Sequence, residues 1–187
     1  MATKRMIIGI TGASGSLYAH LMLKKLAELR EQLDEVAVVV SKTGEEVWNY
    51  ELPGIPLDTL GFRRYPPDSF FAAMASGSGN YEAMIIIPCS VGTLGRIAAG
   101  TADDLMSRAA DVMLKERRKL ILVVREAPYS LIHIRNMETI TLAGGIILPA
   151  SPGFYMNPKT IEELCLTVVE RALAQAGVGI GHQGFGA

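Results

Sequence analysis

The sequence predicts an α/β fold, a three-layer Rossmann-like arrangement built on a mostly parallel sheet. Three observations predict it. Short apolar runs alternate with segments of helical period, which is the pattern of βαβ units. The clearest runs, Met84-Ile-Ile-Ile-Pro88 and Leu120-Ile-Leu-Val-Val124, have the length of strands. The run over Arg5–Ile10, which contains Gly9, is followed by Gly12 and Gly15 in a glycine-rich turn leading straight into a helical segment.

The elements follow in order. Arg5–Ile10 reads as the first strand and Ser16–Arg30 as the helix behind it. Val36–Val40 is a second strand, followed by a short helix over Glu45–Glu51. Leu52–Ser69 contains Pro53, Pro56, Pro66 and Pro67 and reads as irregular connection, because proline gives a ladder no N–H. Ser76-Gly-Ser-Gly79 marks a tight loop before a strand over Ala83–Ile87. A long helix over Asp103–Arg118, a strand over Leu120–Val124 and a helix over Ser130–Leu142 come next. Gly145–Leu148 is the last strand and Pro158–Ala176 the closing helix. Residues 1–176 therefore read as one domain. Residues 177–187, with five glycines, read as a flexible tail.

Composition narrows the function classes. The 187 residues are 49% hydrophobic and have a mean hydropathy of +0.26, rich for a soluble monomer. A membrane helix needs about 20 predominantly apolar residues in a row, and the apolar runs here are far shorter. Burial of apolar surface between copies of the chain is the better reading, so a homo-oligomer is expected and no membrane partner. Lys and Arg number 18 against 19 Asp and Glu, which gives no basic excess for nucleic acid. Met1-Ala-Thr-Lys-Arg-Met6 enters strand-like sequence without an apolar leader, so a cytoplasmic location is expected. Cys89 and Cys165 have neither metal nor redox spacing.

In an open parallel sheet, ligands bind beyond the carboxyl ends of the strands, so the residues following each strand carry the functional reading. Thr11-Gly-Ala-Ser-Gly15 has the spacing G-x-x-G-x-x-G, not the dinucleotide fingerprint. A phosphate near Gly12–Gly15 is sensible at a helix N-terminus, with Ser14 or Ser16 adding a hydroxyl. A plain strand-to-helix turn with a capping serine reads equally well. Val40-Ser41-Lys42 lacks the acidic residue that holds an adenosine ribose, which weakens a nicotinamide dinucleotide. Cys89-Ser90-Val91-Gly92-Thr93 is a second small polar loop, and with the first it could line the polar rim of a flavin. Cys89 reads as a buried small residue.

Charges complete the inventory. Arg125-Glu126 at the mouth of an apolar strand is costly to desolvate without partners or a task. Arg108 and Lys115, seven apart, share one helix face, whereas Arg117, Arg118 and Lys119 read as solvated cations at a helix C-terminus. Asp103 and Asp104 sit where that helix starts and suit capping, so no metal is expected. Tyr155 and Arg171 form a reasonable phosphate clamp, or an ordinary core contact beside a surface cation. His20, His133 and His182 are scattered and read as structural or solvent-facing.

The set as a whole resembles the UbiX/Pad-type flavin prenyltransferases, from about Lys4 to Gly177. The segments that carry the resemblance are Thr11–Gly15, Val40–Lys42, Ser76–Ser78, Pro88–Ser90, Arg108–Arg118, Arg125–Pro128 and Pro152–Tyr155. It implies a flavoprotein-type fold that binds FMN, usually as a homododecamer. It implies transfer of a dimethylallyl group from dimethylallyl monophosphate to N5 and C6 of reduced FMN, without metal. The product, prenylated FMN, would serve a separate UbiD-type decarboxylase. By matching position, Gly12, Ala13, Ser14, Ser41, Ser90, Val91, Gly92, Thr93 and Arg125 would contact FMN. Ser76, Gly77, Arg108, Lys115, Glu126, Tyr155 and Arg171 would surround the prenyl phosphate, some from a neighbouring subunit. Ser14, Glu51 and Glu126 match positions used in or near the chemistry. The chain departs from relatives in its short glycine-rich ending, which leaves closure of the site unassigned. Two other readings compete: a flavin-dependent cysteine decarboxylase of related fold, which would carry an active-site histidine, and a non-catalytic flavin carrier, which would not need the phosphate-facing cations.

Overall fold

Apolar strands of period two and helices of period 3.6 sort the chain into three layers. The computed structural model describes residues 4–180. In chain order they form β1 (Lys4–Ile10), α1 (Ser16–Glu28), β2 (Leu33–Val40), α2 (Lys42–Glu51), β3 (Arg63–Tyr65) and β4 (Ala83–Cys89). Then come α3 (Val91–Ala98), α4 (Leu105–Lys115), β5 (Lys119–Val124), α5 (Leu131–Leu142), β6 (Ile146–Pro149) and α6 (Ile161–Ala176). The strands make one sheet in the order β3-β2-β1-β4-β5-β6, and every neighbouring pair is parallel.

Alternate strand residues feed two cores. Met6, Ile8, Val38, Ile85 and Ile121 pack on one face with Leu23 and Leu26 of α1 and Val169 and Leu173 of α6. Ile7, Val39, Met84, Ile86 and Leu122 pack on the other with Leu94 of α3 and Met106 and Val112 of α4. Each such side chain contributes about 1.5–3 kcal/mol when fully buried. All seven residues of β4 are buried, as expected for a central strand covered on both faces.

Among the boundaries that differ from the sequence reading, four have a clear physical reason. β2 starts at Leu33, because pairing with β1 extends it through residues that are half-buried or, at Asp34, exposed. α2 starts at Lys42 because the Ser41 hydroxyl caps it, accepting the Gly44 N–H at 3.0 Å. β3 lies inside the stretch read as irregular. It is a three-residue edge strand paired only with β2 and followed at once by Pro66, so it has no apolar signature to detect. The start of the expected tail is anchored: Val178 is buried, and Gly179 exchanges two hydrogen bonds with the Gln32 amide. Residues 181–187, His182 among them, lie outside the described residues.

This topology sets the site. From β1 the chain moves outward to β2 and β3, then returns to place β4 on the other side of β1. The loops after β1 and β4 therefore diverge and leave a crevice at the carboxyl ends of the strands. Thr11, 2% exposed, ties the two loops together. Its hydroxyl donates to the Pro88 carbonyl at 2.7 Å and accepts the Ser90 N–H at 2.8 Å.

Candidate active site at the carboxyl ends of the strands

The glycine turn after β1 is shaped first by its own neighbours. A Cβ on Gly12 would lie 2.6 Å from Thr43 Cβ, so α2 needs that glycine in order to approach. Gly15 has φ of 116°, a conformation that side chains disfavour. The N-terminus of α1 attracts an anion, as expected, but at Gly15 and Ser16 the anion is the protein's own. Glu51, at the end of α2, accepts the Gly15 N–H at 2.9 Å and the Ser16 N–H at 2.7 Å. Partial burial pushes its carboxyl up, but hydrogen bonds from Ser14 and from the Ser16 and Gly15 amides outweigh this and leave it below the ordinary range. Ser14 and Glu51, two of the three candidates for chemistry, thus sit against each other at the crevice. Gly12 and Ala13 lie just ahead of them.

The second loop offers what the first has spent. Ser90 caps α3, its hydroxyl accepting the Thr93 N–H at 3.3 Å and bonding the Thr93 hydroxyl at 3.1 Å. The amides of Val91 and Gly92, at the start of α3, have no acceptor within their own helix. A Cβ on Gly92 would meet only Ser90 Oγ, at 4.0 Å, so this stretch of backbone faces open space. Ser41 also caps a helix while its hydroxyl proton stays available to donate. A flavin with a ribityl phosphate needs such a row of hydroxyls and open amides beside a crevice, and the residues present fit it. Cys89 is fully buried, and desolvation pushes its thiol up to about 12, so it stays protonated and unreactive.

Arg125 follows β5, its N–H bound to the Cys89 carbonyl at 3.1 Å, which fixes the base of the loop. Next to it, the half-buried Glu126 accepts the Ala127 N–H at 2.9 Å. Arg125 also lies within electrostatic reach of Tyr18 on α1, whose phenol burial pushes up to about 12 and which contacts Cys165 on α6. Tyr18 was missed in the sequence, where an aromatic on a helix face reads as core. Thr11 was missed too, although a polar residue ending a buried strand was a usable signal.

Tyr155 and Arg171 come together at one place. They share a cavity of about 250 Å³ with Pro149, Ser151 and Thr167, and Gly153 donates to the Thr167 hydroxyl at 3.0 Å to hold the loop against α6. Arg108 and Lys115 do not join them. Both belong to α4, which packs on the opposite face of the sheet from α6. Arg108 donates to the Ala75 carbonyl at 3.0 Å and pairs with Asp111 at 2.7 Å, and Lys115 contacts Glu116. Ser76 and Gly77 lie beside them, so the phosphate-binding candidates form two groups on opposite sides of one chain.

The other expectations concern structure. Asp104 caps α4 in a reciprocal box with Ser107, and Asp103 pairs with Arg96 at 3.5 Å. His133 accepts the Ser130 N–H at the start of α5. His20 packs edge-on against Trp48, their ring centres 5.9 Å apart. Among the described residues, no group of three or more His, Cys, Asp or Glu is placed to hold a metal, and no helix is long and apolar enough to cross a membrane.

Comparison with known proteins decides the family. The Flavoprotein family pattern matches residues 1–173. Flavin prenyltransferase UbiX of Thermoplasma acidophilum is 42% identical, over 94% of this chain and 96% of that protein. This chain belongs to the UbiX group of the Flavoprotein family. Solved UbiX structures share its fold throughout. The crystal structure of AnUbiX (PadA1) in complex with FMN and dimethylallyl pyrophosphate is 41% identical, with a TM-score of 0.88 over 96% of this chain and 95% of that one. A dodecameric FMN-dependent UbiX-like decarboxylase from Escherichia coli O157:H7 is 39% identical, with a TM-score of 0.86 over 96% of this chain and 98% of the other. The all-parallel sheet is therefore that of the UbiX group.

Proposed function

We propose that this chain is a flavin prenyltransferase that joins the dimethylallyl group of dimethylallyl monophosphate to N5 and C6 of reduced FMN and releases phosphate. The observation that carries the reading is the pair of polar loops after β1 and β4: Ser14 and Glu51 interlock at the start of α1, and the first amides of α3 have open space beside them. Residues 1–176 act as one FMN-binding domain. Gly12, Ala13, Ser14, Ser41, Ser90, Val91, Gly92, Thr93 and Arg125 hold the flavin. Tyr155 and Arg171 contribute one half of a phosphate cradle.

Breaking the allylic C–O bond leaves negative charge on the phosphate and positive charge on the allyl group. Cations fixed in advance around the leaving phosphate stabilise that charge without reorganisation. Arg125 and Arg171 supply this from one chain. Arg108, Lys115, Ser76 and Gly77 face away from that crevice and supply it to a neighbouring copy. A closed, dry interface keeps water from capturing the allyl cation. Glu126, beside Arg125, accepts the proton lost from C6, directly or through the departing phosphate. Copies assemble in the cytoplasm, as a dodecamer, and a UbiD-type decarboxylase receives the product. No histidine of the described residues stands at a strand end, which disfavours a cysteine decarboxylase.

The test is anaerobic incubation of the purified protein with reduced FMN and dimethylallyl monophosphate, followed by mass spectrometry of the flavin. A flavin heavier by one prenyl unit is expected. Bound but unmodified flavin would make the chain a carrier and overturn the proposal.

A further inference from the structure

A basic concavity lies far from the strand-end crevice. A groove of about 600 Å³ opens at the amino edge of the sheet, lined by Lys4, Arg117, Arg118 and Lys119 together with Glu82. Lys4 begins β1 and Lys119 begins β5, while the candidate active site lies at the other ends of these strands. At about 3.3 Å per residue, a seven-residue strand puts about 20 Å between the two edges. Within one chain the groove is a separate place.

Its charges are poorly compensated. Four cations face a single lining carboxylate, and Glu82 is already engaged by the Arg5 backbone N–H at 2.9 Å. Among the described residues, none of the four cations is in an ion pair. Arg118 donates through Nη2 to the Gly77 carbonyl at 2.7 Å, but its Nη1 is buried with no hydrogen-bond partner. Arg117 sits at φ 57°, a left-handed turn that glycine would make without strain, so the backbone does not call for arginine there. Lys4 and Lys119 are drawn together by the negative end of α6. Lys4 donates to the Gly177 carbonyl, and the Lys119 ammonium lies against the same residue. Two ammonium groups that would repel are thereby held side by side in a groove that the exposed Arg117 also lines, and its free guanidinium can grip phosphoryl oxygens. The groove has the volume of a small-ligand site.

We infer that this groove is a second anion site, specific for a small molecule bearing a diphosphate group and distinct from the strand-end site. The four cations of the lining outnumber Glu82 and the nearby Glu116, an excess that suits a multiply charged anion.

Isothermal titration of the full-length protein with inorganic pyrophosphate tests the site. The titration is run in an Arg108→Ala/Arg125→Ala/Arg171→Ala background, so that both halves of the strand-end phosphate cradle are weakened. Binding should persist in that background and weaken about tenfold, one charge-assisted contact, on adding Arg117→Gly or Lys119→Ala. Arg117→Gly relieves the left-handed strain, so its thermal midpoint should hold or rise, which separates lost affinity from lost fold. Lys159→Ala, a cation on another surface, should leave binding unchanged. Loss of all pyrophosphate binding in the background variant would overturn the inference, as would unchanged affinity in both groove variants. The readout is binding alone, so it stands whether or not the flavin is prenylated.

Discussion

Glu51 shows how one side chain serves both fold and site. Its carboxylate holds two amides at the start of α1, an interaction of about 1 kcal/mol for capping groups in general. Its folded pKa lies below the ordinary value of 4.5, so its contribution to stability is complete above that value and lost as pH falls through the folded one. Glu51→Gln should therefore destabilise the protein by about 1 kcal/mol at neutral pH. In denaturant titrations the gap to wild type should close as pH drops below about 4.5; a gap that stays constant down to pH 3 would show that charge is not the cause. Cys89 makes a complementary case. With its thiol raised to about 12, it should resist alkylation at pH 8 in the native protein and react only after unfolding, as peptide mapping can show. The sequence made the chemistry-bearing residues at strand ends legible, because their types and order are unusual. It could not reveal that Ser14 and Glu51 touch, since 37 positions separate them and only the packing of α2 on α1 joins them.

Secondary-structure elements were legible to the extent that burial marks them. β1, β4 and β5 are continuous apolar runs because both faces of the sheet are covered, and these were readable almost to the residue. β3 was not, because a short edge strand rests on backbone pairing with β2 and needs no apolar pattern. The turn after β1 was recognised from its glycines, but their reasons differ. Gly12 is required by the approach of Thr43, whereas Gly15 is required by its own backbone angle. Gly15→Ala should cost about 1–2 kcal/mol, because the new Cβ adopts a disfavoured φ and meets the Tyr18 ring at 3.0 Å. Thermal unfolding measures this, and a midpoint equal to wild type would show that the turn relaxes freely.

The whole molecule carries more apolar surface than one chain can cover. On α5, Leu131, Ile132 and Leu142 are 61%, 71% and 82% exposed, and Phe154 and Ile161 are exposed near α6. The composition led to an expectation of self-association, but it could not point to a surface. That depends on which helical residues the sheet leaves uncovered, and α5 has only Ile140 fully buried. Ile132→Glu should lower the mass measured by light scattering and the prenylation rate together; retained mass would place α5 outside the interface. Assembly also bears on the chemistry, since Arg108 and Lys115 lie across the sheet from Tyr155 and Arg171.

The direct test of a site completed by a neighbouring copy is mixing of two inactive variants, Arg108→Ala and Arg171→Ala, co-expressed in equal amounts. If each site draws one of these cations from each of two chains, random assembly restores about a quarter of the sites. The mixture should then yield prenylated flavin at about that fraction of the wild-type rate, although each variant alone yields almost none. A mixture no more active than its parents would place both arginines in the same chain's site and contradict the account.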